Sequence, residues 1–300
     1  MGLPLVRKGK VKEVYDAGAE LEFRFTDQIS VFDKVIPSLI PHKGETLCRT
    51  SAHWFERTAA KGIPTHFLRV TDPTTMRVRK VEVDPDVAKR GASATNVMVP
   101  LEVIVRYYVA GSFLDRIESG VIDPKALGLR GPAALGTELP DPYFEVTTKL
   151  EPTDRLLDET EARAISGLSR QEFGALRETA LRIDDVINDS VRSRGLVHVD
   201  GKKEFALDGR RQLMVIDTFG TADEDRFWDK ARFDAGELVD LSKEFVRGHY
   251  RASGYHRQLY AARERGEKEP PIPPLPPDLL AQTSSLYISL FERLTGQPFR

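Results

Sequence analysis

The order of apolar and polar positions divides the chain into short strands and a smaller number of long helices. Runs rich in branched and aromatic residues, bounded by turn-forming residues, are typical of strands. The longest of these runs is dominated by valine and isoleucine and predicts a buried strand. The predicted strands are Leu21 to Phe25, His66 to Val70, Met76 to Val83 and Val97 to Val109.

Helix signals are clearest in the second half of the chain. Ser169 and Glu172 form a capping box that predicts a helix running to Arg194, with Gly195 as its stop. Its apolar stripe is assigned to core packing. A second helix is predicted from Thr46 to Lys61. A third, from Asp278 to Leu294, follows a proline-rich segment over 269–277, which we expect to be a strap that docks this last helix on the body.

The 300 residues are enough for two modest domains. We predict that the first ends near Asn96, after a loop rich in small residues, and that the second covers 97–300. A hinge at this place would put a ligand pocket between the domains, where pockets often form. The stretch from Asp123 to Pro142 is rich in glycine, proline and alanine and is predicted to be irregular.

Candidate chemistry is concentrated in a predicted strand, turn and strand unit around Asp208-Gly209, a strong hairpin signal. Lys202 and Glu204 are two positions apart and so share one face of the first strand, while Asp217 closes the second. Two carboxylates this close need a positive charge between them, and Mg²⁺ prefers oxygen ligands. Surface charges on an exposed hairpin are the alternative interpretation.

The N-terminal segment contains a second group of charged residues. Gly9 is followed by Lys10 and Lys12, which we place on one face of a strand. A glycine allows the backbone to approach a phosphate closely, and two alternate lysines supply the opposite charge. The spacings of the common phosphate loops are absent, so this segment indicates a phosphate site of another kind or none.

Arginines mark two further segments. Arg106 lies in the most apolar strand and needs an anionic partner, either a ligand phosphate or Glu102 on the same strand. Ser112 is predicted to cap a helix from Phe113 to Ser119, and helix N-termini bind anions. Arg226 follows in an acidic loop after Asp217.

Composition narrows the classes of function. The net charge of -2 provides no broad field for a polyanion, which argues against nucleic-acid binding. One cysteine, Cys48, excludes an internal disulfide and favours a reducing compartment. Scattered histidines make a zinc site improbable. No apolar run reaches a membrane span and no signal-peptide core is present, so we expect a cytoplasmic protein whose partners are small molecules and, at most, copies of itself.

These segments, in this order, resemble the family of phosphoribosylaminoimidazole-succinocarboxamide (SAICAR) synthetases. The resemblance extends to segments spread over nearly the whole chain: 25–33, 40–45, 51–55, 147–149 and the tail from Pro273 to Gly296. It implies a two-domain α+β fold related to ATP-grasp enzymes, with mixed or antiparallel sheets flanked by helices. It also implies an ATP-dependent ligase of purine biosynthesis, which joins carboxyaminoimidazole ribotide (CAIR) to L-aspartate and releases ADP and phosphate.

The resemblance assigns roles to individual residues. Gly9, Lys10 and Lys12 would bind the ATP phosphates, and the backbone around Met98 would bind adenine. Glu204 and Asp217 would ligate Mg²⁺. Lys202 lies beside the metal, and Lys10, Lys12, Lys202, Glu204 and Asp217 make up the catalytic set. The substrate-binding set is Asp33, Lys43, Arg106, Ser112, Lys149 and Arg226, in which Arg106, Ser112 and Arg226 hold the ribotide phosphate.

One segment departs from the family pattern. After Lys149 the family has a histidine followed by an acid, whereas this chain has Arg155 and Leu156, unless Asp158 and Glu159 take over after a two-residue shift. A specialised relative that amidates another aromatic carboxylate is therefore an alternative. A small-molecule kinase would use the same lysines and acids. A non-catalytic nucleotide-binding module is a weaker third possibility.

Overall fold

The structure is a computed structural model that describes residues 2–151 and 153–300. Its strands form a five-stranded sheet, a six-stranded sheet and a two-stranded pair, all of them antiparallel within the named strands. The strands are Leu5–Lys8 (β1), Lys12–Ala17 (β2), Glu20–Phe25 (β3), Gln28–Val31 (β4), Lys34–Leu39 (β5), Phe67–Asp72 (β6), Thr75–Arg79 (β7), Val97–Tyr108 (β8), Glu138–Thr148 (β9), Leu156–Leu157 (β10), Leu196–Leu207 (β11), Leu213–Ile216 (β12) and Asp225–Asp229 (β13).

The helices pack around these sheets. The longest, α5, opens with the capping box that the sequence predicts: the Ser169 hydroxyl accepts from the Glu172 N–H, and the Glu172 carboxylate accepts from the Ser169 N–H. The helices are Lys43–Ala60 (α1), Val87–Arg90 (α2), Ser112–Glu118 (α3), Glu159–Ser166 (α4), Arg170–Arg192 (α5), Lys230–Asp234 (α6), Glu244–Ala252 (α7), Tyr255–Glu264 (α8) and Pro277–Thr295 (α9), with 3-10 turns at Gly91–Ser93 and Pro124–Leu127.

The strand order of the larger sheet determines where the candidate residues meet. It runs β10-β9-β8-β11-β12, and β13 also pairs with the first half of β11. Strand β11 therefore has β8 along one side and both β12 and β13 along the other. Residues from four strands of distant sequence come together around the middle of β11.

The proline-rich strap docks as the sequence predicts. The Leu275 N–H donates to the Ser38 hydroxyl, and the Tyr250 hydroxyl donates to the Pro273 carbonyl. Helix α9 then packs against α1. The sequence-based helices α5 and α9 are therefore confirmed to within a few residues at each end.

Three predictions about secondary structure are wrong. Lys10 lies in a tight turn closed by the Gly9 N–H and the Lys12 carbonyl, so Lys10 and Lys12 do not share a strand. Strand β9 begins inside the segment predicted to be irregular, where pairing with β8 outweighs the local composition. Strand β7 ends at Arg79, four residues before the predicted end at Val83.

The main hydrophobic core is continuous through both halves of the chain, with members from Phe23 to Leu294. The five-stranded sheet uses residues before 96 and the six-stranded sheet uses residues after it. The division into domains at 96 stays a prediction. Within the described ranges, none of the helices is long and apolar enough to cross a membrane. Cys48 is buried, which raises the pKa of its thiol to about 12 and leaves it unreactive.

Candidate active site

Lys202 and Glu204 lie on one face of β11, as the alternation of the strand predicts. Lys202 Nζ is 3.0 Å from Glu102 Oε1 and 3.2 Å from Glu204 Oε1. The next residue, Lys203, points to the opposite face, where it is fully buried 2.5 Å from an Asp184 carboxylate oxygen on α5. The face that carries Lys202 and Glu204 is therefore the one available to a ligand.

Glu102 is a member of the site that the sequence did not identify as functional. It stands directly opposite Glu204 across the β8–β11 pairing, and two facing carboxylates repel. Lys149, which follows β9, places its Nζ 2.7 Å from Glu102 Oε1 and 2.7 Å from Glu204 Oε1. The signal available in the sequence was a glutamate in an otherwise apolar strand. We call Glu102, Lys149, Lys202 and Glu204 the lysine–carboxylate centre.

Charge in this centre is strongly coupled. Burial opposes ionisation of Glu204, but the charges of Lys202 and Lys149 outweigh it and lower its pKa to about 2. Burial also acts against the Lys202 ammonium, while Glu224 and Glu204 raise its pKa. Glu204 and Lys202 are therefore both charged at neutral pH.

Asp217 and Lys12 form an ion pair beside the centre. Asp217 follows β12 with a left-handed backbone (φ 60°), and its side chain accepts a hydrogen bond from Lys12 Nζ. The His66 ring lies 3.3 Å from the Asp217 carbonyl. Burial lowers the pKa of Lys12 to about 8, against the opposing charges of Glu204 and Glu224. The structure thus brings the N-terminal lysine to the hairpin acids.

Lys10 and Asp33 meet at an exposed position. Lys10 Nζ is 2.6 Å from Asp33 Oδ1. The hydrogen bond from Lys10 lowers the pKa of Asp33, and the charges of Arg263 and Arg247 lower it further. This pair links the tight turn after β1 to the turn between β4 and β5.

Arg106 is buried and fully paired, but not with Glu102. Its Nε and Nη2 donate to Glu145 Oε1 at 2.8 and 2.7 Å, and its Nη1 lies 3.2 Å from Asp200 Oδ2. The same Asp200 oxygen accepts from Arg226 Nη1 at 3.1 Å. The internal partner considered from the sequence is therefore wrong, because Glu102 is held by the two lysines instead.

Arg226 and Ser112 lie close together. The guanidinium of Arg226 packs on the backbone of Gly111, so that a Cβ at Gly111 would sit 2.6 Å from Arg226 Nη2. Ser112 is exposed and follows directly. It is the first residue of α3 and makes no side-chain cap; the N-cap is Gly111 (φ 54°), so the capping role predicted for Ser112 is wrong.

Lys43 is not exposed to any ligand. It has no accessible surface, and its Nζ is 2.8 Å from Asp223 Oδ2. The Tyr287 hydroxyl donates to the other Asp223 oxygen at 2.6 Å. The substrate-binding role predicted for Lys43 is therefore wrong, because the side chain supports the loop after Asp217 from inside the core.

Met98 lies at the start of β8 in a small apolar cluster with Ala206, Met214 and Ile216. Its N–H donates to the Glu82 carbonyl. An adjoining groove of about 550 Å³ is lined by Ala19, Arg79, Lys80, Val81, Glu82 and Asn96. The region combines this apolar cluster with the exposed charged residues Arg79, Lys80 and Glu82, at the end of β7 and after it.

The segment after Lys149 does not direct Arg155 into the site. Arg155 is exposed and pairs with Glu151 at 3.4 Å and Glu161 at 3.1 Å. Asp158 is the N-cap of α4 in a capping box with Glu161, and the two-residue shift stays a prediction. In this segment it is Asp154 whose pKa depends on the lysine–carboxylate centre. Burial and the charge of Glu102 raise that pKa.

The loop from Asp217 to Arg226 is held from several sides. The Trp54 indole donates to the Gly220 carbonyl at 2.8 Å, and the Gly220 N–H donates to Asp225 Oδ1 at 2.7 Å. The other Asp225 oxygen is 2.8 Å from His198 Nε2. Asp184, His198 and Asp225 could together ligate a metal, but Lys203 already supplies a cation to Asp184. We therefore regard this cluster as a support for the loop.

The ion pairs predict a loss of stability in acid. Glu204 and Asp223 both have a pKa of about 2, below their ordinary values of 4.5 and 3.8. A carboxyl group whose pKa is lower in the folded than in the unfolded chain stabilises the fold at pH values above its ordinary pKa. This stabilisation is lost as the pH falls through the pKa of the folded state. We expect the free energy of unfolding, measured in urea, to fall as the pH is lowered from about 5 to about 2, and Asp223→Asn to reduce that fall by an amount on the order of 2 kcal/mol. An unchanged pH dependence in the variant would show that Asp223 is not the titrating group.

Comparison with known proteins gives a consistent result. Residues 5–262 match the family described as SAICAR synthetase. The phosphoribosylaminoimidazole-succinocarboxamide synthase of Thermoplasma acidophilum is 53% identical over 295 residues, covering 98% of this chain and 99% of that protein. The protein of the same name from Thermoplasma volcanium is 51% identical with the same coverage. The SAICAR synthase of Saccharomyces cerevisiae complexed with SAICAR superposes with a TM-score of 0.75 at 25% identity, over 99% of this chain and 96% of that one.

Fold and site therefore define an α+β enzyme of the ligase class, and the predicted fold class is confirmed. The chain belongs to the SAICAR synthetase family. The resemblance inferred from the sequence is confirmed by the same findings.

Proposed function

We propose that this protein is an ATP-dependent ligase of purine biosynthesis that joins CAIR to L-aspartate and releases SAICAR, ADP and phosphate. The observation that carries the proposal is the lysine–carboxylate centre with the Lys12–Asp217 pair beside it, in a chain 53% identical to a relative named for this product. A solved SAICAR synthetase of the same fold, 24% identical, was determined in complex with ADP.

The chemistry requires activation of a carboxylate, which is a poor electrophile. An oxygen of the CAIR carboxylate attacks the γ-phosphorus of ATP, and the bond to the bridging oxygen breaks, giving an acyl phosphate and ADP. The amine of aspartate then attacks the acyl carbon. The bond between this carbon and the oxygen that bridges to phosphorus breaks. Phosphate leaves with one carboxylate oxygen, and the neutral amine loses one proton to solvent, so that the amide nitrogen keeps one hydrogen.

The lysines supply the charge that the first step needs. Lys10, Lys12 and Lys202 would face the phosphates, where fixed positive charge offsets the charge that develops during phosphoryl transfer. Gly9 and the tight turn it closes would let the backbone approach them. The apolar cluster around Met98 would receive adenine. Asp33 and Lys149 would line the pocket for the heterocycle.

Glu204 and Asp217 fit a bound Mg²⁺. Their side chains offer hard oxygen ligands, and at present each accepts hydrogen bonds from lysine ammonium groups, which marks the place where positive charge is needed. When bound, the ion would offset charge on the nucleotide phosphates. The lysines and acids of this chain would then orient the phosphates between β2 and β11.

The arginine pair would hold the ribotide phosphate. Arg226 lies against Gly111 next to the exposed Ser112, and guanidinium–phosphate contacts are strong charge-assisted bonds. Arg106, which is already satisfied by Glu145 and Asp200, would act on the phosphate chiefly by holding Asp200 and through it Arg226. We further propose a cytosolic location, supported by the single buried cysteine.

The proposed route predicts the fate of one oxygen atom. With CAIR labelled with ¹⁸O in its carboxylate, one labelled oxygen is expected in inorganic phosphate for each amide formed. The measurement is mass spectrometry of phosphate and product, with the amine omitted as the control. Unlabelled phosphate with fully labelled product would exclude the acyl phosphate. ADP release that needs a hydroxyl acceptor in place of the amine would indicate a kinase.

A further inference from the structure

Glu145 on β9 is a buried carboxylate at the edge of the proposed ribotide-phosphate site, with 6% of its surface exposed. The pairing of β9 with β8 sets it opposite Ile104, so it shares one face of the sheet with Arg106, two positions further along β8. On the other side of β8, Arg106 stands opposite Asp200 on β11, and Asp200 stands opposite Arg226 on β13. Glu145 is therefore joined to Arg226 by charged residues that follow one another across the sheet.

Both oxygens of Glu145 accept hydrogen bonds from arginines, and these arginines belong to different elements. Oε1 accepts from Arg106 Nε at 2.8 Å and from Arg106 Nη2 at 2.7 Å. Arg116 on α3 donates from Nη2 to Oε1 at 3.0 Å and to Oε2 at 2.7 Å. A carboxylate offers about four acceptor positions. Glu145 is thus a saturated, charged link between strand β8 and helix α3.

Phe113 strengthens the same link. Its ring is fully buried in the first turn of α3, directly after Ser112. The guanidinium carbons of Arg106 and Arg116 lie 5.3 and 5.4 Å from the centroid of this ring. Contacts between a cation and an aromatic ring are attractive, and more so where water is excluded. The first turn of α3 is therefore held on the sheet by two arginines that share one carboxylate.

The position of α3 determines what lies beside Arg226. Gly111, the residue before α3, has a left-handed backbone (φ 54°) and is in close contact with the Arg226 guanidinium. The exposed Ser112 is the next residue. A shift of α3 would therefore move the Ser112 hydroxyl and displace Arg226 at the same time.

A second connection runs along the sheet. Asp200 Oδ2 accepts from Arg106 Nη1 at 3.2 Å and from Arg226 Nη1 at 3.1 Å. Because Glu145 balances the other side of the Arg106 guanidinium, Asp200 can serve Arg226 as well. Without the Glu145 charge, Arg106 would compete more strongly for Asp200, since an unpaired buried charge is costly. Glu145 therefore acts on Arg226 both through α3 and through Arg106.

We infer that Glu145 is a positioning residue for the phosphate of the ribotide. The inference rests on the proposed function, in which Arg226 and Ser112 hold that phosphate. Glu145 does not contact the substrate, because its carboxylate is buried and its acceptor positions are filled by arginines. It holds α3 and Arg226 in one arrangement, so that the phosphate meets a preformed site and less affinity is lost to reorganisation.

The direction of the effect separates positioning from simple charge. If charge alone mattered, removal of a negative charge near the phosphate would strengthen binding. Loss of a positioning residue weakens it. In Glu145→Gln we expect kcat/KM for the ribotide to fall about 10- to 100-fold, which corresponds to the loss of a charge-assisted hydrogen bond.

The riboside, which lacks the phosphate, supplies a readout that a general loss of structure would not spare. Its kcat/KM, or its inhibition constant where turnover is slow, should change less than about 3-fold in Glu145→Gln. The KM for ATP should also change less than about 3-fold. The preference for the ribotide over the riboside therefore falls in the variant.

Arg116→Gln tests the connection through α3 and should lower the same preference. The double variant Glu145→Gln/Arg116→Gln should be within about 3-fold of Glu145→Gln alone, because both residues act through one contact. Arg116→Lys keeps the charge without the planar fork and should fall between Arg116→Gln and the wild type. As matched controls, Glu267→Gln and Arg265→Gln break an exposed glutamate–arginine pair and should leave every constant unchanged.

Three outcomes would overturn the inference: a rise of kcat/KM for the ribotide in Glu145→Gln, an equal fall for ribotide and riboside, and additive losses in the double variant. If Glu145→Gln does not fold, Arg116→Gln decides, since this side chain is only half-buried. An unchanged preference for the ribotide in Arg116→Gln then contradicts the inference. A wild-type protein that does not convert CAIR contradicts the proposed function itself. Conversion of CAIR by the wild type, with an unchanged preference in the variants, contradicts the positioning role alone.

Discussion

Glu204→Gln and Asp217→Asn are each expected to reduce turnover to well below a tenth of the wild-type rate while the fold persists. Both substitutions preserve shape and remove one negative charge from the place where Lys149, Lys202 and Lys12 converge. Without that charge the lysines repel one another, and the proposed Mg²⁺ loses a ligand. Steady-state ADP release against magnesium concentration is the measurement.

Matched controls for this prediction are Glu267→Gln and Asp234→Asn, which remove the same charges from exposed ion pairs with Arg265 and Lys230. They should be neutral, since exposed pairs contribute little. A site variant that keeps more than about a tenth of the activity, equivalent to roughly 1.4 kcal/mol of barrier, with unchanged magnesium dependence would remove that acid from the metal site.

Gly220→Ala is expected to be the most damaging small substitution in the loop. Gly220 has a left-handed backbone (φ 69°), and a Cβ there would lie 2.6 Å from Nε1 of the fully buried Trp54. The backbone strain and the clash together should cost about 3 kcal/mol or more. Because the loop carries Asp217, Glu224 and Arg226, kcat/KM should fall with stability.

Gly62→Ala is the matched control for the clash. Gly62 has φ 76°, but a Cβ there would meet nothing within 4 Å. This variant should lose only about 1 kcal/mol from backbone strain. Urea unfolding of both variants separates the two contributions. Equal losses would mean that Trp54 moves aside and does not hold the loop.

Local features of the structure were predicted well from the sequence because they depend on residues only a few positions apart. The capping box of α5 and the alternation that puts Lys202 and Glu204 on one face are set by spacing alone. A hairpin follows Leu207 as Asp208-Gly209 predicts, but its loop closes between the Asp208 N–H and the Gln212 carbonyl, and Arg211 has the left-handed backbone (φ 62°). The same local logic failed at Lys10, where a tight turn replaces the expected strand.

Partners across the fold could not be predicted in the same way. Arg106 was expected to need an acid, and it has two, but they come from β9 and β11 and not from its own strand. The family resemblance placed Lys43 in the substrate-binding set, yet its ammonium group pairs inside the core with the carboxylate of Asp223, 180 positions later. Asp154 was missed because the comparison with the family pattern was made at its neighbour Arg155.

The sequence by itself therefore determined the family, the α+β class and the main helices and strands, and it predicted which acids and lysines are candidates for the chemistry. Only the tertiary structure decided which of those charges meet and that Glu102 completes the lysine–carboxylate centre. The reason is physical. Turns, caps and strand faces depend on neighbours in the chain, whereas the energy of a charge depends on its burial and on partners that only the folded sheets bring within a few ångströms.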